Sequence, residues 1–259
     1  MQFTDTHTHL YTEQFEADRE QAVKQAIEAG ITRMVLPAID SQYIKAQKDL
    51  AKAFPENIAM GAGLHPSSVR QNYKEELEIV KAEIESGKYI AVGEIGIDLY
   101  WDKTYKAEQT EAFDFQIKLA KKHKLPIIIH VRNAFDEVFE VVRQNNDEQL
   151  NGVFHSFTGS ANQAKTIQEF GGFKIGINGI VTFKNSDLGD IVKTIPAEYI
   201  VLETDSPYLA PHPKRGKRNE SKYLIYIAEK IAELYGISLE KLSSITEQNA
   251  AELYNNYLN

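Results

Sequence analysis

The chain alternates between two hydrophobic periods, and that alternation admits few architectures. Short runs of strand character stand at 2–6, 32–38, 57–64, 89–95, 126–131, 152–157, 173–178 and 199–204. Several are apolar without a break, as in Ile127-Ile128-Ile129 and Tyr199-Ile200-Val201-Leu202. A strand with no polar face is buried on both sides, the condition of a parallel sheet covered by helices. Helical stripes fill the gaps. Val23, Ala26 and Ile27 precede Gly30, and Leu77, Val80 and Ile84 precede Gly87. Phe113, Ile117 and Ala120 precede Pro126. Leu224, Ile227, Ala228, Ile231, Leu234 and Tyr235 end at Gly236, and a further helix runs from Leu239 to about Leu253. Eight strands, each followed by a helix, predict an α/β fold: a (β/α)8 TIM barrel occupying residues 1–259 as a single domain. A doubly wound open sheet is the alternative.

Polar residues favour the barrel. His7 and His9 follow the first run, Glu94 the fourth, His130 the fifth, His155 the sixth and Asp205 the eighth. Such groups are costly to bury unless something binds them. Active sites of α/β barrels lie at the C-terminal strand ends, where all six are expected. On an extended strand, His7 and His9 face one side and can grip one cation. Glu94, between Gly93 and Ile95-Gly96, has two oxygens and can bridge two cations; the glycine leaves its backbone open to close approach. Asp205 can bind a cation and accept a proton from water, so Asp205 and Glu94 are the expected catalytic carboxylates. The chain has no cysteine, so any metal is held by His, Asp or Glu.

Further residues have expected roles around this set. His65, in Gly63-Leu64-His65-Pro66, is aimed at a substrate oxygen, and Arg132 at an anionic substrate group. Asp5 and Glu203 support the ligands from behind. Asp98 reads as a loop residue, and His123 as a structural residue on a solvated helix face. His212 lies in a proline-flanked loop. Lys214, Arg215, Lys217 and Arg218 put four positive charges in five residues after the last strand. With Asn219, they are expected to meet phosphate at the mouth. The net charge of −8 otherwise opposes long-range attraction to nucleic acid or anionic lipid. No apolar run reaches the roughly 18 residues of a spanning helix, and no signal-peptide pattern opens the chain. A cytoplasmic protein without membrane contact or an obligate protein partner is expected.

Seven segments in order resemble the TatD family of metal-dependent deoxyribonucleases. They are Asp5-Thr-His-Thr-His-Leu10, Gly63-Leu-His-Pro66, Gly93-Glu-Ile-Gly-Ile-Asp98, His130-Val-Arg132, His155-Ser-Phe-Thr-Gly159, Glu203-Thr-Asp-Ser-Pro-Tyr-Leu209 and Arg215-Gly-Lys-Arg-Asn219. The resemblance covers nearly the whole chain. It implies an amidohydrolase-like barrel with two divalent ions, one taking His7, His9, Glu94 and Asp205, the other Glu94, His130 and His155. It implies magnesium-dependent hydrolysis of DNA, often from the 3′ end. The imidazole-rich set suits Zn, Mn, Fe or Ni at least as well as Mg. The chain departs from many members at Ser156, where they carry Cys, and at Asn133, where they carry Asp or Glu.

A 3′–5′ exodeoxyribonuclease acting on single-stranded DNA or 3′ ends is therefore expected. The same centre could instead hydrolyse an ester or amide, as in D-aminoacyl-tRNA deacylation or small-molecule amide hydrolysis. A metal-stabilised binding protein without turnover is a reading of a different class.

Overall fold

The computed structural model describes residues 1–100 and 102–254. Among these, eight parallel strands form one sheet in sequence order. They are β1 (Phe3–Asp5), β2 (Ile31–Leu36), β3 (Ile58–Ala62), β4 (Ala91–Asp98), β5 (Ile127–Arg132), β6 (Gly152–Phe154), β7 (Phe173–Ile177) and β8 (Ile200–Leu202). β8 returns to β1. The Thr6 N–H donates to the Leu202 carbonyl at 3.0 Å, and Thr8 forms a parallel bridge with Ser206. The strands thus close into a nearly complete barrel, as the apolar runs predict.

The outer helices are α1 (Arg19–Glu28), α2 (Ile44–Ala53), α3 (Tyr73–Glu85), α4 (Lys106–His123), α5 (Phe135–Asn145), α6 (Ala161–Glu169), α7 (Leu188–Val192), α8 (Leu224–Tyr235) and α9 (Leu239–Leu253). The one-strand, one-helix scheme breaks after β8, which is followed by two. α8 takes the outer position. Asn249 of α9 donates to the carbonyls of Ala197 and Ile200 at the start of β8. Ala250, Leu253 and Tyr254 pack with Val35, Ala91, Ile128, Val153 and Val201. α9 therefore closes the end at which the strands begin. No helix among the described residues is long and apolar enough to cross a membrane.

Alternation along the strands divides the molecule into two cores. Ile127 and Ile129 point outward into the large cluster with α4 and α5, whereas Ile128 points inward. The inward face then continues into the site. Two residues beyond Ile128 is His130, beyond Val153 is His155, and beyond Val201 is Glu203. Period-two geometry thus turns an apolar plug into a polar floor and then a ring of ligating groups.

His155 directly follows β6, as expected, whereas the other site residues sit off the strand ends. Glu94 and His130 lie within β4 and β5, and His7, His9 and Asp205 lie beyond the last residues of β1 and β8. The register of β4 on β5 slips between Gly93 and Ile95, which turns Glu94 inward. Gly93 serves strand packing rather than ligand access, since a Cβ there would stand 2.5 Å from the Ile128 Cβ. Asp98 is no loop residue. It ends β4, 5% exposed, with its N–H held by the Gln109 side chain of α4.

Candidate metal centre

The cleft at the C-terminal mouth has a volume of about 630 Å³ and is lined by His9, His65, Glu94, His130, His155 and Asp205, among others. His7 lies just beneath, fully buried, its ring stacked 3.5 Å from that of His155. The six expected ligands therefore converge, although five segments of chain carry them.

Glu94 stands at the centre and divides them. Its Oε2 lies 3.1 Å from His7 Nε2 and 3.6 Å from His9 Nε2. Asp205 Oδ1 completes that group, 3.9 and 3.6 Å from the same two nitrogens. Glu94 Oε1 lies 2.7 Å from His130 Nδ1 and 3.2 Å from both His155 Nε2 and His65 Nε2. One carboxylate thus presents an oxygen to each of two imidazole groups.

Hydrogen bonds from behind decide which ring nitrogen carries a proton. The Tyr11 hydroxyl donates to the Pro37 carbonyl at 2.5 Å, so it accepts from His9 Nδ1–H at 2.8 Å. That leaves the lone pair of His9 on Nε2, facing the cluster. His155 Nδ1–H donates to Glu203 Oε1 at 3.2 Å, and His130 Nε2–H to Asp98 Oδ2 at 3.1 Å. Each then presents its other nitrogen to Glu94. Ligating histidines are commonly oriented by such partners. Glu203 is fully buried and also accepts from the Ser156 N–H. Glycine at 176 makes room for its carboxylate, since a Cβ there would collide with it. Asp5 accepts from the N–H and hydroxyl of Thr204, which ties β1 to the loop carrying Asp205.

Charge follows the same arrangement. Burial alone would raise Glu94, but the imidazoles of His65, His155 and His7 outweigh it and hold the carboxyl well below its usual range. Burial would likewise raise Asp205, yet the neighbouring imidazoles of His9, His155 and His7 hold it low. His155 is raised well above the ordinary histidine value, burial being outweighed by Glu94 and Glu203. His130 is raised by Asp98 and Glu94 against burial. His7 and His65 are lowered, chiefly by burial. Anionic carboxylates beside imidazoles whose protons a cation can displace form a donor set that fits a divalent metal ion. The buried His7 Nδ1 and Glu203 Oε2 have no hydrogen-bond partner.

The basic loop is placed otherwise than expected. None of Lys214, Arg215, Lys217, Arg218 and Asn219 lines the cleft. Arg218 grips Asp18 through two nitrogens at 2.7 Å and stacks 4.2 Å from the Phe15 ring centroid. Arg215 lies 3.8 Å over Phe183, and Lys214 lies over Tyr223 and Tyr226. Asn219 is fully buried, donating to the carbonyls of Thr204 and Tyr208. These contacts tie Lys214, Arg215, Arg218 and Asn219 to neighbouring elements rather than to the cleft. Arg132 does line the cleft, its guanidinium 4.0 Å from the Tyr100 ring centroid. His212 is exposed in its loop, and His123 has a buried Nε2 despite the solvated face expected for it.

Sequence reasoning missed Asp98, Tyr11 and Tyr208. Tyr11 had a readable signal, because Asp5, His7, His9 and Tyr11 recur at every second position. Asp98 was hidden by the two glycines of Gly93-Glu-Ile-Gly96, which resemble a loop.

A nearly closed parallel barrel thus gathers imidazoles and carboxylates that could hold divalent metal ions at its mouth. The family model described as TatD related DNase matches residues 4–255. The chain is 39% identical over 251 residues to the uncharacterized metal-dependent hydrolase YabD of Bacillus subtilis (strain 168), covering 96% of this chain and 98% of that one. It is 31% identical over 258 residues to the uncharacterized metal-dependent hydrolase YcfH of Escherichia coli (strain K12), covering 98% and 96%. The crystal structure of YjjV, a TatD homologue from Escherichia coli K12, superposes with a TM-score of 0.91 at 28% identity over 98% of both chains. The chain belongs to the TatD family.

Proposed function

We propose that this hydrolase cleaves DNA phosphodiesters, removing nucleotides from the 3′ end of single strands, with two divalent ions at Glu94. The observation that carries the reading is the division of the Glu94 carboxylate between two imidazole groups. His7, His9, Glu94 and Asp205 would hold one ion, and Glu94, His130 and His155 the other. Four imidazoles among these ligands favour Zn, Mn, Fe or Ni over Mg. When bound, such ions lower the pKa of water and neutralise charge on the phosphoryl oxygens.

The chain's own groups supply the rest. Asp205, held anionic, accepts the proton of the attacking water. Arg132 pairs with a phosphate oxygen at the rim, where its planar fork matches the geometry. Tyr208, 48% exposed in the cleft, offers a ring face for a nucleobase. Stacking on an aromatic ring is worth about 1–3 kcal/mol per base and tolerates any sequence. This rim supports a single-stranded substrate over a small ester or amide.

The test uses metal-loaded protein with single-stranded oligonucleotides labelled at either end, alongside carboxylic ester and amide reporters. A 5′-labelled strand that shortens stepwise is the expected result. Turnover of an ester or amide with intact oligonucleotide would overturn the reading.

A further inference from the structure

Distance alone would make His65 a metal ligand. Its Nε2 lies 3.2 Å from Glu94 Oε1 and 3.2 Å from His130 Nδ1. Its hydrogen bonds on the far side say otherwise. His65 precedes a short 3₁₀ turn, Pro66–Ser68, and caps it: the Ser67 backbone N–H donates to His65 Nδ1 at 3.0 Å. A backbone amide can only donate, so Nδ1 must carry the lone pair. The Ser67 hydroxyl, 2.6 Å from the same nitrogen, can rotate to suit either state and does not decide it. In the neutral ring the proton therefore sits on Nε2, the nitrogen that faces the centre. This is the reverse of His9, His130 and His155, whose outer nitrogens meet acceptors.

From this opposite polarity we infer that His65 is a fixed hydrogen-bond donor rather than a ligand, and that its Nε2–H binds an oxygen of the substrate's reacting phosphoryl group. The proton stays on the ring. Giving it up would leave an imidazolate, because Nδ1 is occupied by the Ser67 amide. The donor lies on the His130 side of Glu94, the side from which Arg132 also reaches the rim. A donor preset at that point gains strength as negative charge develops on the oxygen. His130 Nδ1 remains open to a cation, since Asp98 takes the other ring proton. The inference rests on the phosphodiesterase reading above.

Three measurements test it. In metal-free protein, ¹⁵N-resolved spectra of the His65 ring should show protonated Nε2 and unprotonated Nδ1; a proton on Nδ1 overturns the inference. Zinc titration by calorimetry should give the same stoichiometry and affinities within about threefold for the native protein and His65→Ala. Loss of an ion, or affinity tenfold weaker at one site, would make His65 a ligand. With an oligonucleotide, His65→Ala should lower kcat by on the order of 10²-fold, as for loss of one preorganised donor. His65→Gln, which returns an N–H at similar reach, should recover most of that loss. Equal loss in both variants with unaltered zinc binding would also overturn the donor role. Native protein that binds zinc but cleaves no phosphodiester would refute the proposed function instead, while the ring spectrum and the titration would still report on His65.

Discussion

Tyr11→Phe removes one oxygen from behind the centre and none from within it. Tyr11 is 1% exposed, and its hydroxyl takes the His9 Nδ1 proton while donating its own to Pro37. Burial, with the Glu94 charge second, raises its pKa well above the ordinary value, so it remains a hydroxyl. Without it the His9 N–H faces phenyl carbon. Either that proton stays unsatisfied, at a cost of about 1–3 kcal/mol, or it moves to Nε2 and the lone pair turns away from the cleft. Both penalties fall on the metal-bound state, because binding needs the Nε2 lone pair. At about 1.4 kcal/mol per tenfold, the loss is roughly 5- to 150-fold in affinity for the ion beside His9. The range agrees with the 10- to 100-fold or so usual for removing an outer partner of a ligand. Competition with a chromogenic chelator at fixed pH reads both sites. Affinity beside His9 should fall while that beside His130 changes little. Unchanged affinity would refute the assignment of the His9 proton to Tyr11.

Other perturbations have equally definite outcomes. Glu94→Ala should lower metal content at both positions and abolish turnover, with the circular dichroism spectrum retained; near-normal activity would remove the shared-carboxylate arrangement. Asp205→Asn keeps the shape but is a poor proton acceptor, so kcat should drop about 10²-fold or more, whereas a change confined to KM would assign Asp205 to binding. His130 and His155 are raised above 6.5 and keep their protons over a wider range in the metal-free protein. Their stabilisation of that form is complete below the unfolded value and is lost as pH rises through the folded one. Metal affinity should move oppositely, weakening as pH falls through the raised values, with protons released on binding at neutral pH; a flat affinity profile would contradict this. Arg218→Ala should cost about 1 kcal/mol or less, since its partner Asp18 is partly solvated. It should leave oligonucleotide affinity and its salt dependence unchanged, and a flatter salt slope would return the basic loop to the substrate.

The sequence by itself determined the barrel and the composition of its centre. Both depend on local patterns: near-continuous apolar runs require two covered faces, and period two carries Val153 into His155 or Ile128 into His130 on one inward line. Residue type alone excluded thiolates and named imidazole and carboxylate as the donors. Tertiary structure decided what each donor faces. The role of Arg218 turned on Asp18, 200 residues away. That of Asn219 turned on the carbonyls of Thr204 and Tyr208, and that of Asp98 on His130 across the β4–β5 pair. The same holds for the protons. An imidazole is a ligand or a donor according to the group behind it, and Pro37, Glu203 and Asp98 reach those positions only when the barrel closes. A histidine's place in the sequence fixes where the ring is, and the partner the fold brings to its outer nitrogen fixes which way its proton points.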